Sequence, residues 1–325
     1  DLHLSIRRQR QMCIRDSYNN PTMKNTIIVV VIIALIGLGI YVLTKTPSDN
    51  VSVIPGVIDL DENKNPEKPV EGEVVVDKTK TVVGTSVNGN NITAYHFGEG
   101  ADEILFIGGI HGGYEWNTVL VAGELMNYLK TNPSVIPSNV KVTVIPVLNP
   151  DGLQKVVGTT TVSFSQAQVP SSKDVVVSGR FNANNVDLNR NFECDWQTSG
   201  TWQNKTVSGG SEVFSEPESQ AIKSYLEKNK IVASVVWYSA AGGVFASSCH
   251  NGVSPETSTL TKTFAKASGY KAYESFDFYT ITGDMVNWMA KNNIPAISVL
   301  LTNHTDTEWS KNQAGIDAIL KHYTK

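Results

Sequence analysis

Four apolar runs constrain this chain more than any other feature. Glu103–Gly108 (EILFIG), Val140–Val147 (VKVTVIPV), Val232–Trp237 and Ala296–Leu301 are short and rich in β-branched residues. Runs of this kind read as strands buried on both faces. Between and after them, Glu115–Leu129, Glu216–Lys228, Thr257–Ala267, Asp284–Lys291 and Thr307–Tyr323 read as helices. Strands alternating with helices predict one α/β domain over residues 78–325, with a central mixed, mostly parallel sheet flanked by helices. A hairpin is expected from Thr79–Ser86 and Ile92–Phe97 around Asn88–Gly89. Leu148–Gly152 (LNPDG) reads as a turn, and Ser215 with Glu218 reads as a capping box. Ligands of such sheets bind beyond the carboxyl ends of the strands. The loops after 108, 147, 237 and 301 are therefore where chemistry is expected.

The segment before this domain divides into three. Residues 26–43 (TIIVVVIIALIGLGIYVL) form 18 residues without a charge. As a helix they would cover about 27 Å, close to a hydrocarbon core of about 30 Å. They predict an N-terminal signal-anchor within residues 23–45, a membrane-anchored protein and an extracytoplasmic domain. Residues 46–77 hold eight acids, two lysines and four prolines, the composition of a disordered, solvated tether. Residues 1–22 read as a non-native extension, with Met23 as the expected start; RRQRQMCIRDS resembles translated sequencing-adapter read-through.

Arginine use supports that division. Six of the 27 basic residues are arginines, and four of them lie in the first 22 residues. The rest of the chain keeps only Arg180 and Arg190, both in GRFNANNVDLNRNF (179–192). A chain that uses lysine for generic positive charge keeps arginine where a planar fork is needed, as for a carboxylate or an oxyanion. The net charge of −4 gives no basic field for nucleic acid, which is excluded as a partner. Three cysteines are too few for a disulfide scaffold or a four-cysteine zinc ribbon. Cys194 and Cys249 fall in loops that should flank one cleft, and are expected to pair outside the cytoplasm.

The loop GGIHGGYEWNT (108–118) places His111 and Glu115 between a strand and a helix, a common pair of zinc ligands. Taken in order with LNPDG and DLNRNF, it resembles the zinc carboxypeptidase family of the carboxypeptidase A type. SEPES (215–219) and FYTITGDMVNWMAKNNIPAISV (278–299) extend the resemblance over about 80–323. It implies release of C-terminal residues from a peptide by a zinc-activated water. His111 and Glu115 become zinc ligands, Asn189 and Arg190 hold the terminal carboxylate, and Tyr279 closes over it. Arg180 meets the oxyanion, and Val286 lies near the floor of the side-chain pocket, favouring neutral or apolar residues. Peptidoglycan stem peptides are an alternative substrate.

Three positions depart from the family pattern. The first ligand pair is H-x-x-x-E instead of H-x-x-E. Tyr238 stands where the third zinc ligand, a histidine, belongs, and is the ligand candidate there, with His250 or His304 as substitutes. Leu300 replaces the general-base glutamate, leaving Glu308 or Asp306 downstream as acids for proton transfer. The alternative to a hydrolase is a catalytically impaired descendant that binds free peptide C-termini.

Overall fold

The computed structural model describes residues 78–325. The hairpin is present as β1 (Lys80–Thr85) and β2 (Asn91–Phe97), closed by a turn in which Gly89 donates to Ser86 O and takes a left-handed φ of 79°. Then follow β3 (Asp102–Ile107), α1 (Trp116–Thr131), β4 (Val140–Ile145), α2 (Pro150–Val157) and α3 (Lys173–Ser178). A small hairpin, β5 (Ser199–Trp202) and β6 (Lys205–Ser208), precedes α4 (Pro217–Lys228) and β7 (Ile231–Ser239). The chain ends with β8 (Gly243–Ala246), α5 (Pro255–Ser268), β9 (Ala272–Tyr273), α6 (Met285–Lys291), β10 (Ala296–Leu301) and α7 (Trp309–His322).

Eight strands form one mixed sheet in the order β1-β2-β4-β3-β7-β10-β8-β9. The four apolar runs are its parallel centre, β4-β3-β7-β10. Strand alternation sends successive side chains to two different cores. Leu105, Ile107, Val236, Tyr238 and Leu300 enter the core closed by α4 and α6. Ile104, Phe106, Val235, Trp237, Val299 and Leu301 enter the core closed by α1, α5 and α7. Each fully buried side chain of this kind contributes roughly 1.5–3 kcal/mol. Crossing over and over in this way leaves the carboxyl ends of β3, β7 and β10 together at one edge, which places the site.

Three local expectations change. LNPDG opens a helix: Asn149 is its cap, accepting from Gly152 N at 2.8 Å, and Pro150 needs no amide partner at the first position of α2. The capping box at Ser215 is absent. Ser215 Oγ donates to Glu216 Oε1, and the buried Glu218 instead takes Val87 N and Asn182 Nδ2. The region 150–215 carries α2, α3, β5 and β6, which its lack of apolar periodicity concealed. The anchor expected at 26–43 and the tether at 46–77 lie outside the described residues. Among the described residues no helix is long and apolar enough to cross a membrane.

Candidate functional site

After β3 the chain turns through Gly108–Glu115 before α1 begins. Gly112 has φ 44°, and a Cβ there would meet Gly179 O at 2.7 Å and Gly152 C at 2.8 Å, so this loop can pack against α2 only with glycine. Tyr114 N and Glu115 N both donate to His111 O, making the turn helical. Residues four apart on such a turn face each other. This absorbs the extra residue of H-x-x-x-E: His111 Nδ1 comes within 2.9 Å of Glu115 Oε1.

The pair is buried, yet neither ring nitrogen of His111 and not Glu115 Oε2 has an aligned hydrogen-bond partner. Glu115 Oε2, a buried acceptor with no partner, costs about 1–3 kcal/mol. On its other side His111 Nε2 lies 3.3 Å from Asp187 Oδ1, the arrangement by which a carboxylate orients a ligating imidazole. His111 and Glu115 therefore fit two ligand positions of a divalent cation.

The third position does not fit. Tyr238, on β7, lines the same cavity. Burial, together with Asp284 and Glu115, pushes its phenol well above the ordinary tyrosine value. It keeps its proton and donates to Asn189 Oδ1 at 3.3 Å. Among the described residues, no third histidine, cysteine or carboxylate converges with His111 and Glu115 on one point. Zinc is thus offered two protein ligands of the usual kinds and a neutral phenol.

Leu300 is the register partner of Tyr238 across the parallel β10–β7 pair. The two departures are neighbours on the cavity floor, and Leu300 can move no proton. Glu308 does not repair this. Its carboxylate accepts from Tyr270 OH at 2.8 Å and Thr302 N at 2.7 Å, pairs with Lys311 at 2.6 Å, and is not among the cavity-lining groups. The expectation that Glu308 transfers protons in the site is corrected on that ground. Asp306 is also outside the lining. His250 pairs with Asp195 Oδ1 at 2.8 Å, away from the lining, whereas His304 does reach the cavity. His304 Nδ1 lies 2.9 Å from Ser239 Oγ, and its Nε2 lies 3.3 Å from Tyr114 OH.

The two arginines differ. Arg180 spends Nε and Nη2 on Asp187 Oδ2 at 2.9 and 2.8 Å, and stacks 4.4 Å from the Trp202 ring. Burial opposes ionisation of Asp187, but Arg180 and His111 beside it hold its carboxyl well below the usual range. Only Nη1 of Arg180 turns to Glu115, at 3.8 Å. Arg190 donates to Asn189 O and Thr201 O, both at 2.8 Å, and its Nε has no partner. It is 1% exposed, and among the described residues no carboxylate lies within ion-pair distance of it. Asn189 itself gives Nδ2 to Asp284 at 2.8 Å and accepts from Met285 N, so its amide is largely engaged. Tyr279 stands with its ring centroid 5.9 Å from the Arg190 guanidinium.

His111, Glu115, Arg180, Asn189, Arg190, Tyr238, Tyr279 and His304 line a cavity of about 790 Å³, with Val286, Phe245, Ala246 and Leu300 as its apolar part. Sequence reasoning missed Asp187, Tyr114 and Trp202. Asp187 stood inside the DLNRNF motif, where its type was a signal; the aromatic pair carried none. The expected disulfide is present: Cys194 and Cys249 are bonded, with Cα atoms 6.0 Å apart.

A gamma-D-glutamyl-L-diamino acid endopeptidase of Lysinibacillus sphaericus is 25% identical over 218 residues, 61% of this chain and 54% of its own. The chain thus spans about half the length of that curated relative. Among solved structures, murein-tripeptide amidase MpaA of Escherichia coli O157 superposes with TM-score 0.54 and 19% identity, over 76% of this chain and 93% of its own. Bovine thrombin-activatable fibrinolysis inhibitor superposes with TM-score 0.61 and 18% identity, over 75% and 89%. These structural likenesses show a shared fold. The profile of the zinc carboxypeptidase family matches residues 77–317, across nearly the whole described domain, and the chain belongs to that family.

Proposed function

We propose that the cavity receives peptides through a free C-terminal carboxylate, murein-type peptides included, and that binding is its principal activity. One observation carries this reading: Arg190 is a buried guanidinium that lines the cavity, donates only to carbonyls and, among the described residues, has no carboxylate within ion-pair distance. A buried charge is costly unless paired, so the site is organised for an anion. A carboxylate matches the guanidinium fork, and the apolar lining suits a neutral side chain beside it. The names of the Lysinibacillus and Escherichia relatives support a peptide of the murein type. Outside the described residues, the run 26–43 would tether the domain, and the disulfide supports an extracytoplasmic location.

Hydrolysis is the second reading. It is favoured by family membership and by the buried, adjacent side chains of His111 and Glu115. When bound, zinc would supply Lewis-acid chemistry beside that pair. This chain's own residues orient His111 through Asp187 and hold the substrate at Arg190, but provide no general base at Leu300. General acid–base help is typically worth about 10²–10⁴-fold.

Calorimetric titration of the full chain with a peptide and its C-terminal amide tests binding. The acid should bind at least about tenfold more tightly, given roughly 1.5–3 kcal/mol for a charged hydrogen bond; equal affinities sink the proposal. Release of the C-terminal residue, assayed with added zinc, separates the readings. The native chain should bind without turnover, and Tyr238→His with Leu300→Glu should gain it. Zinc-dependent release by the native chain establishes hydrolysis instead.

A further inference from the structure

Four side chains behind one wall of the cavity fix, between them, the direction in which each proton points. Asn117 is fully buried, and its Nδ2 donates to Asn303 O at 2.8 Å and to Asp306 O at 3.0 Å. Carbonyls only accept, so both amide hydrogens are spent there and Oδ1 faces the other way as an acceptor. Ser239 Oγ lies 3.1 Å from that oxygen and 2.9 Å from His304 Nδ1. A hydroxyl has one proton, and giving it to His304 would leave the buried amide oxygen of Asn117 without a donor, a costly arrangement. Ser239 therefore donates to Asn117 and accepts from His304 Nδ1–H.

Burial lowers the His304 pKa, so near neutral pH the ring holds a single proton; with Nδ1 carrying it, Nε2 presents a lone pair. Tyr114 OH lies 3.3 Å from that nitrogen. Burial, with Glu115 adding to it, pushes the phenol up to about 12, so Tyr114 keeps its proton and donates it to His304. A phenol whose one proton is committed in this way offers only its oxygen to the cavity, which Tyr114 and His304 both line. The ring is fixed edge-on against Trp202, with 5.1 Å between centroids. A donor of this chain already uses the oxygen: the Gln203 side chain, exposed in the turn between β5 and β6, hydrogen-bonds to it.

We propose that Tyr114 is a specificity-determining residue that takes a backbone N–H of the ligand in place of Gln203, with His304, Ser239 and Asn117 as positioning residues that turn its proton away. This rests on the reading that a peptide acid occupies the cavity. With its carboxylate at Arg190 and a neutral side chain, the C-terminal residue of such a ligand has one donor left, its backbone N–H. The cavity thereby distinguishes a secondary amide from an ester of the same shape, because an ester oxygen would set two acceptors against each other.

Calorimetric titration of the full chain, without added zinc, compares acetyl-alanyl-alanine with acetyl-alanyl-lactic acid, in which an ester oxygen replaces that N–H. Both ligands keep the free carboxylate, so contact with Arg190 is common to the two. The peptide should bind about tenfold more tightly, for one hydrogen bond gained and one unpaired acceptor avoided. Tyr114→Phe, which keeps the ring, should bring the two ligands to within about twofold, with the fold intact by circular dichroism. Nitrogen-15 NMR of the imidazole, assigned by its loss in His304→Asn, should show a protonated Nδ1 and an unprotonated Nε2 in the native chain. Ser239→Ala should move that proton toward Nε2 and shrink the preference for the peptide. Equal affinities in the native chain overturn the proposal, as does a preference that survives Tyr114→Phe, or a native His304 protonated at Nε2 alone. A chain that prefers acids to C-terminal amides yet binds peptide and ester alike keeps the Arg190 reading and loses this one; the opposite pair of results does the reverse. A chain that binds neither ligand overturns both.

Discussion

Arg180 and Arg190 lie ten positions apart in one loop, but their surroundings give them different capacities. Arg180 is neutralised by Asp187 and flattened on Trp202, so it builds the wall of the cavity. Arg190 has only carbonyl hydrogen-bond partners, and Asp187 and Asp284 act on it from beyond ion-pair distance. Gly200 makes that placement possible: a Cβ there would meet Arg190 Cδ at 2.8 Å, Arg190 Nε at 3.0 Å and Thr282 Oγ1 at 3.0 Å. Gly200→Ala should therefore displace the guanidinium without altering it. A loss of about 1–3 kcal/mol of carboxylate binding, roughly 5- to 150-fold in affinity for peptide acids, is expected, with the amide unaffected in the same calorimetric assay.

His304 is a second residue whose state its surroundings determine. Burial lowers its pKa; Glu115 opposes that shift, while Arg180 and His111 add to it. A histidine whose folded value lies below its unfolded value is bound by more protons in the unfolded chain as pH falls. Its contribution to stability is full above the unfolded value of about 6.5 and declines below it. Proton NMR of the imidazole should show a midpoint below 6.5, and denaturant midpoints should fall on acidification through that region. A midpoint above 6.5 would contradict the burial of this ring.

Among the elements, α2 shows how a motif that reads as a turn becomes a helix start. Asn149 caps Gly152 N with Oδ1 and donates through Nδ2 to Arg180 O at 3.3 Å, coupling the helix to the arginine loop. Asn149→Ala should cost about 1–2 kcal/mol, read as a shifted denaturant midpoint. A loss of only a few tenths would show that the cap is dispensable. The pairing of β7 with β10 is the other instructive element. Parallel register sets Tyr238 beside Leu300, so the two positions that depart from the expected family pattern are neighbours. Reading each strand alone shows two unrelated substitutions.

At the scale of the molecule, the sheet brings loops that are distant in sequence to one edge, and the disulfide secures two of them. Cys194 and Cys249 are 55 residues apart, and closing a loop of that size limits the unfolded chain. Replacing both with serine should lower stability by about 2–4 kcal/mol under oxidising, metal-free conditions, measured by chemical denaturation. An unchanged midpoint would mean that the hydrogen bonds from Gly283 N to Cys194 O and from Ser248 N to Asn287 Oδ1 suffice.

The central strands were legible because burial on both faces demands unbroken apolar runs, and a local pattern carries that demand. DLNRNF and GGIHGGYEW were legible for a similar reason: buried charge and potential ligands need particular residue types. The capping box failed because Glu218 found stronger partners at Val87 and Asn182, far away in the chain. Glu308 failed because one-dimensional proximity to the β10 loop says nothing of direction, and its carboxylate turned to Tyr270 and Lys311. Which arginine takes a carboxylate and which only carbonyls also lay beyond reading, since both sit in the same loop with acids nearby. Partner choice among polar groups depends on distances of a few tenths of an ångström, and those arise only when separate segments pack against one another.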